Sequence, residues 1–263
     1  MIPQAYITEW SQQVPWQTSE QVEQDLVICR ALVEIFSDER LNQSLAFRGG
    51  TALHKLYLQP QPRYSEDIDL VQVRAEPIKE TVQRLQAALS FLGDSAVKPR
   101  RDGIQIISRF DSEIPPSIRL RLKVESNTRE HFTVHGYTQF PFEVKSSWFN
   151  GSCDLTTYQL EELLGTKLRA LYQRSKGRDL YDMFIALTQR PHIDIDALLH
   201  SYHEYMRFSV EKPPTQQQYI QNMEAKMKDP EFLGDTTALL RPDVLYDPYQ
   251  AYEIVRSQLI EKI

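Results

Sequence analysis

The chain has 263 residues, of which 41% are hydrophobic and 25% charged, a balance typical of a globular protein with one large or two small domains. It contains no run of 18 apolar residues and no basic-then-apolar pattern at the N-terminus, so we expect a soluble, cytoplasmic protein without membrane contact. Cys29 and Cys153 lack metal-type spacing, and His131 and His135 fall in a strand-and-turn pattern. Free thiols and no histidine-bound metal are therefore predicted.

Hydrophobic periodicity predicts an α+β chain that becomes helical towards its C-terminus. The predicted elements, in chain order, are a helix at 19–37, a strand at 45–47, a short helix at 52–58, a strand at 65–70, a helix at 77–92, and strands at 104–110 and 118–126. From about residue 156 the pattern is helical, so we predict two domains, at 1–155 and 156–263. Thr18 with Gln21, and Thr156 with Gln159, are expected to form capping boxes.

The stretch from Ser65 to Leu70 alternates acidic and apolar residues. In a strand, Asp67 and Asp69 would project side by side while the apolar residues enter the core. Two adjacent carboxylates repel each other unless a cation lies between them, and such oxygen ligands suit Mg²⁺ bound together with substrate phosphates. Asp67 and Asp69 are therefore the predicted metal ligands.

A glycine-rich turn, Gly49-Gly50-Thr51, precedes the predicted short helix. Such a turn lets phosphates approach the backbone closely and offers N–H groups at a helix N-terminus. Arg48, Lys55 and Ser65 are further candidates for phosphate binding. Ordinary surface positions explain Arg48 and Lys55 as well, and Ser65 could simply end the loop.

Two further stretches are LKVESNTRE at 122–130 and LLGTKLRALYQRSKGRDLYDMF at 163–184. Together with the Gly-Gly-Thr turn and the Asp-x-Asp strand, they resemble the AbiEii/AbiGii toxin family of nucleotidyltransferases, which also contains the MenT toxins. The resemblance implies a nucleotidyltransferase-like mixed sheet with flanking helices, followed by a helical C-terminal domain that completes the active site. It also implies Mg²⁺-dependent transfer of NMP from an NTP to RNA, at the 3′ end of tRNA, with release of pyrophosphate and a cognate antitoxin.

The predicted strand at 118–126 ends a row of basic residues with Glu125. The resemblance makes Glu125 a candidate third carboxylate, which would hold the metal or act as general base, although pairing with a cation such as Arg129 is the alternative. Net charge is −6, yet residues 98–129 carry eight basic and four acidic side chains. This strip could bind a polyanion such as RNA, or it could be a solvated sheet face.

Lys167 lies in the middle of a leucine stripe on the predicted helix after Thr156, where its ammonium must reach solvent or meet an anion. Triphosphate oxygens would be a suitable anion, and the resemblance gives Lys167 a role in stabilising the leaving group. Asp179 lies in the first turn of the next helix, where the helix dipole favours an acid regardless of function. The resemblance implies that Asp179 is catalytic, ahead of Asp182, which is expected to face away from the apolar stripe.

Other classes of function stay open at this point. A small-molecule nucleotidyltransferase would use the same carboxylates on another acceptor and would show no salt-sensitive RNA binding. A binding module would have kept the fold without the chemistry, and the presence of Asp67, Asp69 and Lys167 argues against it. Transfer of the γ-phosphate to a protein partner is a third alternative.

Overall fold

In the computed structural model, which describes residues 2–263, the chain divides into two units. The first unit comprises the chain up to Leu56 together with Tyr64–Thr133 and Tyr137–Tyr158. The second comprises Tyr57–Arg63, Val134–Gly136 and Gln159–Ile263. The main boundary between the units thus lies after residue 158. Two short segments from earlier in the chain, Tyr57–Arg63 and Val134–Gly136, also belong to the second unit, which a single boundary at 155 does not include.

A seven-stranded mixed sheet with flanking helices forms the first unit, as the resemblance implied. The strands are β1 Leu45–Arg48, β2 Asp67–Gln72, β3 Ser95–Arg100, β4 Gly103–Asp111, β5 Arg119–Asn127, β6 Tyr137–Lys145 and β7 Asn150–Tyr158, in the order β3-β4-β5-β2-β1-β7-β6. The pairs β2–β5 and β1–β7 are parallel, and the other neighbours are antiparallel. The order places β2, which carries the two aspartates, beside β5, which carries the third predicted carboxylate.

The core of the first unit forms because β5 alternates exposed and buried residues and helix α2 covers the sheet. The helices of this unit are α1 Gln4–Trp10, α2 Ser19–Ser37, α3 Glu39–Ser44, α4 Gly49–Ala52 with a π-helical continuation at Leu53–Tyr57, α5 Ile78–Ala88 and a 3₁₀ turn at Ser90–Leu92. The backbone N–H of Gln21 donates to Thr18 Oγ1 at 3.3 Å and starts α2. The side-chain oxygen of Gln21 accepts from the backbone N–H of Gln17 at 3.2 Å.

The second unit is helical, as the sequence pattern predicted. Its helices are α6 Leu160–Gln173, α7 Gly177–Gln189, α8 Ile195–Ser209, α9 Gln216–Lys226, α10 Pro230–Gly234 and α11 Pro248–Gln258, with a 3₁₀ turn at Ile260–Lys262. The buried carboxylate of Glu162 on α6 accepts from the backbone N–H groups of Val134 and His135, each at 2.9 Å, and from the hydroxyl of Tyr205 at 2.7 Å. These bonds attach the short segment Val134–Gly136 to the helical unit.

Some predicted local features were wrong. Thr156 and Gln159 form no capping box, because β7 continues through Thr156 to Tyr158 and α6 begins at Leu160 without a side-chain cap. Strands β3, β6 and β7 were not predicted at all. Both cysteines are free thiols, as expected. Among residues 2–263, no helix is both long enough and apolar enough to cross a bilayer.

Candidate active site

The three predicted carboxylates meet on one face of the sheet, because β2 and β5 are parallel neighbours. The register sets Asp67 opposite Lys123 and Asp69 opposite Glu125. Paired residues on adjacent strands point to the same face, so all four side chains share it. We refer to Asp67, Asp69 and Glu125 as the carboxylate group.

The Gly-Gly-Thr turn lies against this carboxylate group. Gly49 has a φ of 81°, and a Cβ on it would lie 2.2 Å from Oδ2 of Asp69, so both the backbone and the close approach require glycine. The helix that starts there receives no capping bond from the side chain of Arg48. Thr51 Oγ1 lies 2.8 Å from Ser65 Oγ and donates to the backbone carbonyl of Asp67. Two hydroxyls and a helix N-terminus therefore border the start of β2.

Lys123 supplies a positive charge inside the carboxylate group. Its Nζ lies 2.5 Å from Oδ2 of Asp67 and 3.4 Å from Oε1 of Glu125. Burial raises the pKa of Asp67 to about 6, an effect that Lys123 opposes and Asp69 reinforces. Lys123 thus does not fully offset the effect of burial on the Asp67 carboxyl, whose pKa stays raised.

Gln105 of β4 holds the third carboxylate in place. Its side chain is 4% exposed, and its Nε2 donates to Oε1 of Glu125 at 2.6 Å. Its Oε1 accepts from Nη2 of Arg100, also at 2.6 Å. An arginine can only donate and an ionised carboxylate can only accept, so these two partners fix the orientation of the amide.

Arg48 and Lys55, the two cationic side chains predicted to bind phosphate, both have partners within the first unit. Arg48, the last residue of β1, forms a salt bridge with Glu130. Lys55 turns into the core, where its Nζ lies 2.8 Å from Oδ2 of Asp25 and 3.2 Å from Sγ of Cys29, with 3% of the side chain exposed. A buried ammonium needs such a carboxylate. We therefore leave Lys55 out of the proposed phosphate site, against the expectation from sequence.

The residues present fit a cation that is shared with a substrate. Within residues 2–263, no three His, Cys, Asp or Glu side chains are arranged as a protein-only metal site. Mg²⁺ typically takes only one or two carboxylates and completes its shell with water and substrate phosphates, which is what Asp67 and Asp69 offer. The raised pKa of Asp67 agrees with this fit, because a bound cation would favour the ionised carboxylate.

In the second unit, Lys167 meets its anions within the chain. Its Nζ lies 3.0 Å from both Asp179 Oδ1 and Asp182 Oδ2. Arg174 binds Asp179 through two nitrogens, and Arg63 binds Asp182 at 2.6 and 2.7 Å. Burial alone would raise the pKa of Asp179, but Lys167 and Arg174 hold it below its usual range. Asp182 is fully buried, where its carboxylate contacts Lys167 and Arg63.

The sequence matches the family described as nucleotidyl transferase AbiEii toxin, type IV toxin–antitoxin system, over residues 30–255. The chain belongs to this family. Its fold is similar to that of MenT4, a nucleotidyltransferase toxin of Mycobacterium tuberculosis H37Rv, with a TM-score of 0.69 and 17% identity over 100% of this chain and 91% of that one. JHP933 from Helicobacter pylori is similar at a TM-score of 0.56 and 18% identity, with 93% of each chain covered. No curated protein matches significantly.

Membership of the AbiEii family makes this chain a nucleotidyltransferase toxin of a type IV toxin–antitoxin system. Three polar residues of the AbiEii chain were not recognised as site candidates from sequence, namely Lys123, Gln105 and Arg63. Lys123 was counted only as part of the basic strip, although its position two residues before Glu125 gave a signal. No local pattern marks Gln105 or Arg63, because their partners lie 20 and 119 residues away.

Proposed function

We propose that this AbiEii chain transfers a nucleoside monophosphate from an NTP to the 3′ hydroxyl of an RNA, with tRNA as the first candidate, and releases pyrophosphate. The observation that carries the proposal is the contact between a glycine-rich helix N-terminus and a strand with two aspartates, since Gly49 lies directly against Asp69. A triphosphate needs the first feature, and its activation needs the second. A cognate antitoxin in the same cytoplasm would neutralise the activity.

In this proposal, residues of the first unit bind the triphosphate and the metal ion. Backbone N–H groups of Gly50 and Thr51 bind the triphosphate, with the hydroxyls of Thr51 and Ser65 and the guanidinium of Arg48 beside them. Mg²⁺ held by Asp67 and Asp69 would neutralise the charge on the phosphate oxygens when it is bound.

Glu125 takes the proton of the attacking hydroxyl. That hydroxyl forms a bond to the α-phosphorus in line, the bond to the bridging oxygen breaks, and pyrophosphate leaves with the electron pair. Held by Gln105, the Glu125 carboxylate keeps the orientation that this proton transfer needs.

Lys167 and Asp179 keep their roles as predictions. The family resemblance gives Lys167 the stabilisation of the leaving pyrophosphate, and a cation is a suitable group for that charge. Within the second unit, three cations (Lys167, Arg63 and Arg174) meet two carboxylates (Asp179 and Asp182), and this count favours the approach of an anion.

The test is an incubation of the purified chain with total bacterial tRNA, Mg²⁺ and each α-³²P-labelled NTP in turn. Three arms run beside it: an Asp67→Asn, Asp69→Asn double variant, a control with Asp94→Asn and Asp196→Asn at two exposed positions, and an excess of EDTA. We expect label on tRNA with one NTP for wild type and control, and none for the site variant or with EDTA. Pyrophosphate is counted by a coupled pyrophosphatase assay and should match the transferred label.

A parallel set with γ-³²P-labelled NTP separates the alternatives. Label from the γ position on protein or RNA, without label from the α position, would replace nucleotide transfer with phosphate transfer. Absence of label on tRNA with every NTP would remove tRNA as acceptor, and label that persists in the site variant would remove Asp67 and Asp69 from the mechanism.

A further inference from the structure

A cavity of about 320 Å³ opens beside the carboxylate group, at the end of the sheet where β2 and β5 continue beyond Asp69 and Glu125. Its lining includes Asp69, Leu70 and the segment 125–127, together with Arg48 and the turn at 100–104 that joins β3 to β4. The volume lies at the low end of the range for ligand sites, about 300–1,000 Å³, and suits one nucleotide rather than a folded stem.

This cavity extends away from the two hydroxyls that border the triphosphate site, although it shares Arg48 and Asp69 with that site. Thr51 and Ser65 contact each other and the backbone carbonyl of Asp67, at the start of β2. The cavity is lined instead by residues that follow the carboxylates along the same two parallel strands, and neither Thr51 nor Asp67 belongs to its lining. The cavity therefore adjoins the carboxylate group at Asp69 and Glu125, whereas the Gly-Gly-Thr turn adjoins it at Asp69 and at the start of β2.

The charge of the cavity favours a ligand with a phosphate over a neutral nucleoside. Arg48 is paired with Glu130, and Asp102 is paired with Arg129. Arg100 bonds only to the neutral amide of Gln105, and Arg101 forms no salt bridge with any described residue. Two guanidinium groups are thus available for an anion, and arginine matches phosphate with a planar pair of donors.

We infer that this cavity binds the terminal nucleotide of the acceptor strand, with Arg100 and Arg101 on the phosphate that precedes the attacking hydroxyl. The inference rests on the proposed function. It places that hydroxyl beside Glu125 on β5, whereas the Gly-Gly-Thr turn follows β1 on the other side of β2. The amide of Gln105 joins Arg100 in the cavity to Glu125 through two bonds of 2.6 Å.

The inference is tested by binding without catalysis. A 5′-fluorescein-labelled single-stranded RNA with a free 3′ hydroxyl is titrated, by fluorescence anisotropy, with wild type, Arg101→Ala, Arg100→Ala and the control Lys79→Ala on the exposed face of α5. A non-hydrolysable α,β-methylene NTP analogue with Mg²⁺ is titrated separately by calorimetry. Each cavity variant should weaken RNA binding about fivefold or more and lower the slope of log Kobs against log salt by about 0.7, the value for one phosphate contact on a single strand. Lys79→Ala should change neither quantity, and no variant should change the affinity for the analogue.

Two outcomes would overturn the inference. RNA affinity of Arg101→Ala and Arg100→Ala equal to that of Lys79→Ala would remove the acceptor from the cavity. Loss of affinity for the analogue, with RNA binding intact, would show that the cavity holds the incoming nucleotide. Since RNA binding is measured without transfer, failure of the transfer assay with wild type would reject the proposed function and still leave this test readable.

Discussion

At the scale of single residues, Gly49 combines two requirements that can be separated by experiment. It shares a positive φ with Gly93, at 81° and 80°, but a Cβ on Gly93 would meet nothing within 4 Å, whereas one on Gly49 would meet Asp69. Gly49→Ala and Gly93→Ala should each lose about 1–2 kcal/mol of stability from the left-handed backbone. Urea unfolding measures this cost.

Only Gly49→Ala should also lose nucleotide transfer, by about 100-fold or more, because its methyl group displaces the Asp69 carboxylate from the geometry that catalysis needs. The transfer assay with α-labelled NTP compares the two variants at equal folded fraction. Equal activity of the two would mean that the contact between Gly49 and Asp69 does not matter for the reaction.

Asp67 predicts a stability that depends on pH. Burial raises its pKa to about 6, so the folded chain holds this proton more tightly than the unfolded chain, whose aspartates titrate near about 4. Ionisation of Asp67 therefore penalises the folded state as pH rises through the window from about 4 to about 6. Asp67→Asn cannot ionise, so its stability relative to wild type should rise across this window and level off above about pH 6.

Urea denaturation between pH 4 and 8 in the presence of EDTA measures this difference, with Asp94→Asn as the exposed control. The control should track wild type at every pH. A difference between Asp67→Asn and wild type that stays constant from pH 4 to 8 would contradict the raised pKa, and a difference that shrinks as pH rises would reverse its sign.

At the scale of elements, helix α7 depends on a buried ion network that holds its Asp182. Arg63 and Asp182 form a two-point pair with side chains 2% and 0% exposed. Arg241 and Asp243 form a two-point pair of similar geometry, at 3.0 and 2.9 Å, but Asp243 is 65% exposed. The two pairs thus differ mainly in burial.

We expect Asp182→Asn to cost about 3–5 kcal/mol, because it leaves Arg63 buried without its charge partner. Asp243→Asn should cost about 1 kcal/mol or less, as exposed pairs do. Urea unfolding at pH 7 measures both. If Asp182→Asn does not fold, the apolar double variant Arg63→Met, Asp182→Leu should recover folding, and equal costs for the two single variants would show that burial of the network is unimportant.

Which elements were predictable follows from their local patterns. The amphipathic stripe of α2 and the alternation in β2, β4 and β5 were sufficient to predict those elements. β3 is an edge strand with mostly exposed residues and an internal proline, Pro99, so it lacks the alternation of a half-buried strand. The other edge strand, β6, does alternate Phe140, Phe142 and Val144 with more exposed residues, so its pattern was a signal that the sequence prediction missed. The first half of β7 is polar, so its sequence did not predict a strand.

At the scale of the whole molecule, sequence predicted the ingredients of the site better than their arrangement. The pair Asp67 and Asp69 followed from strand geometry alone, but the position of Glu125 beside Asp69 requires that β5 pairs with β2 across two intervening strands in sequence. Lys55 illustrates the reverse case, because a lysine close to the turn could be assigned to the core only once Asp25 was known to lie 2.8 Å away. Strand order and buried ion pairs are tertiary properties, which local periodicity does not determine.

The net charge of the chain likewise does not determine where its cationic side chains lie. The chain carries −6, so affinity for a polyanion must come from local cations rather than from the total. In the structure, two arginine pairs of the basic strip at 98–129 lie apart. Arg100 and Arg101 line the cavity, whereas Arg109 pairs opposite Arg121 near the start of β5. Arginines paired directly across two strands repel each other.

Two double variants of equal charge therefore have opposite expected effects. Arg109→Gln, Arg121→Gln should raise the free energy of unfolding by roughly 0.2–1 kcal/mol, because it removes a pair of like charges, and should change the Kd for single-stranded RNA by less than about twofold. Arg100→Gln, Arg101→Gln should leave stability nearly unchanged and weaken RNA binding strongly at low salt, with both proteins converging at high salt as counterion release is suppressed. Urea unfolding and anisotropy titrations at several salt concentrations measure the two quantities on the same preparations. Equal loss of RNA affinity in both variants would mean that the whole strip, rather than the cavity end of it, binds the acceptor.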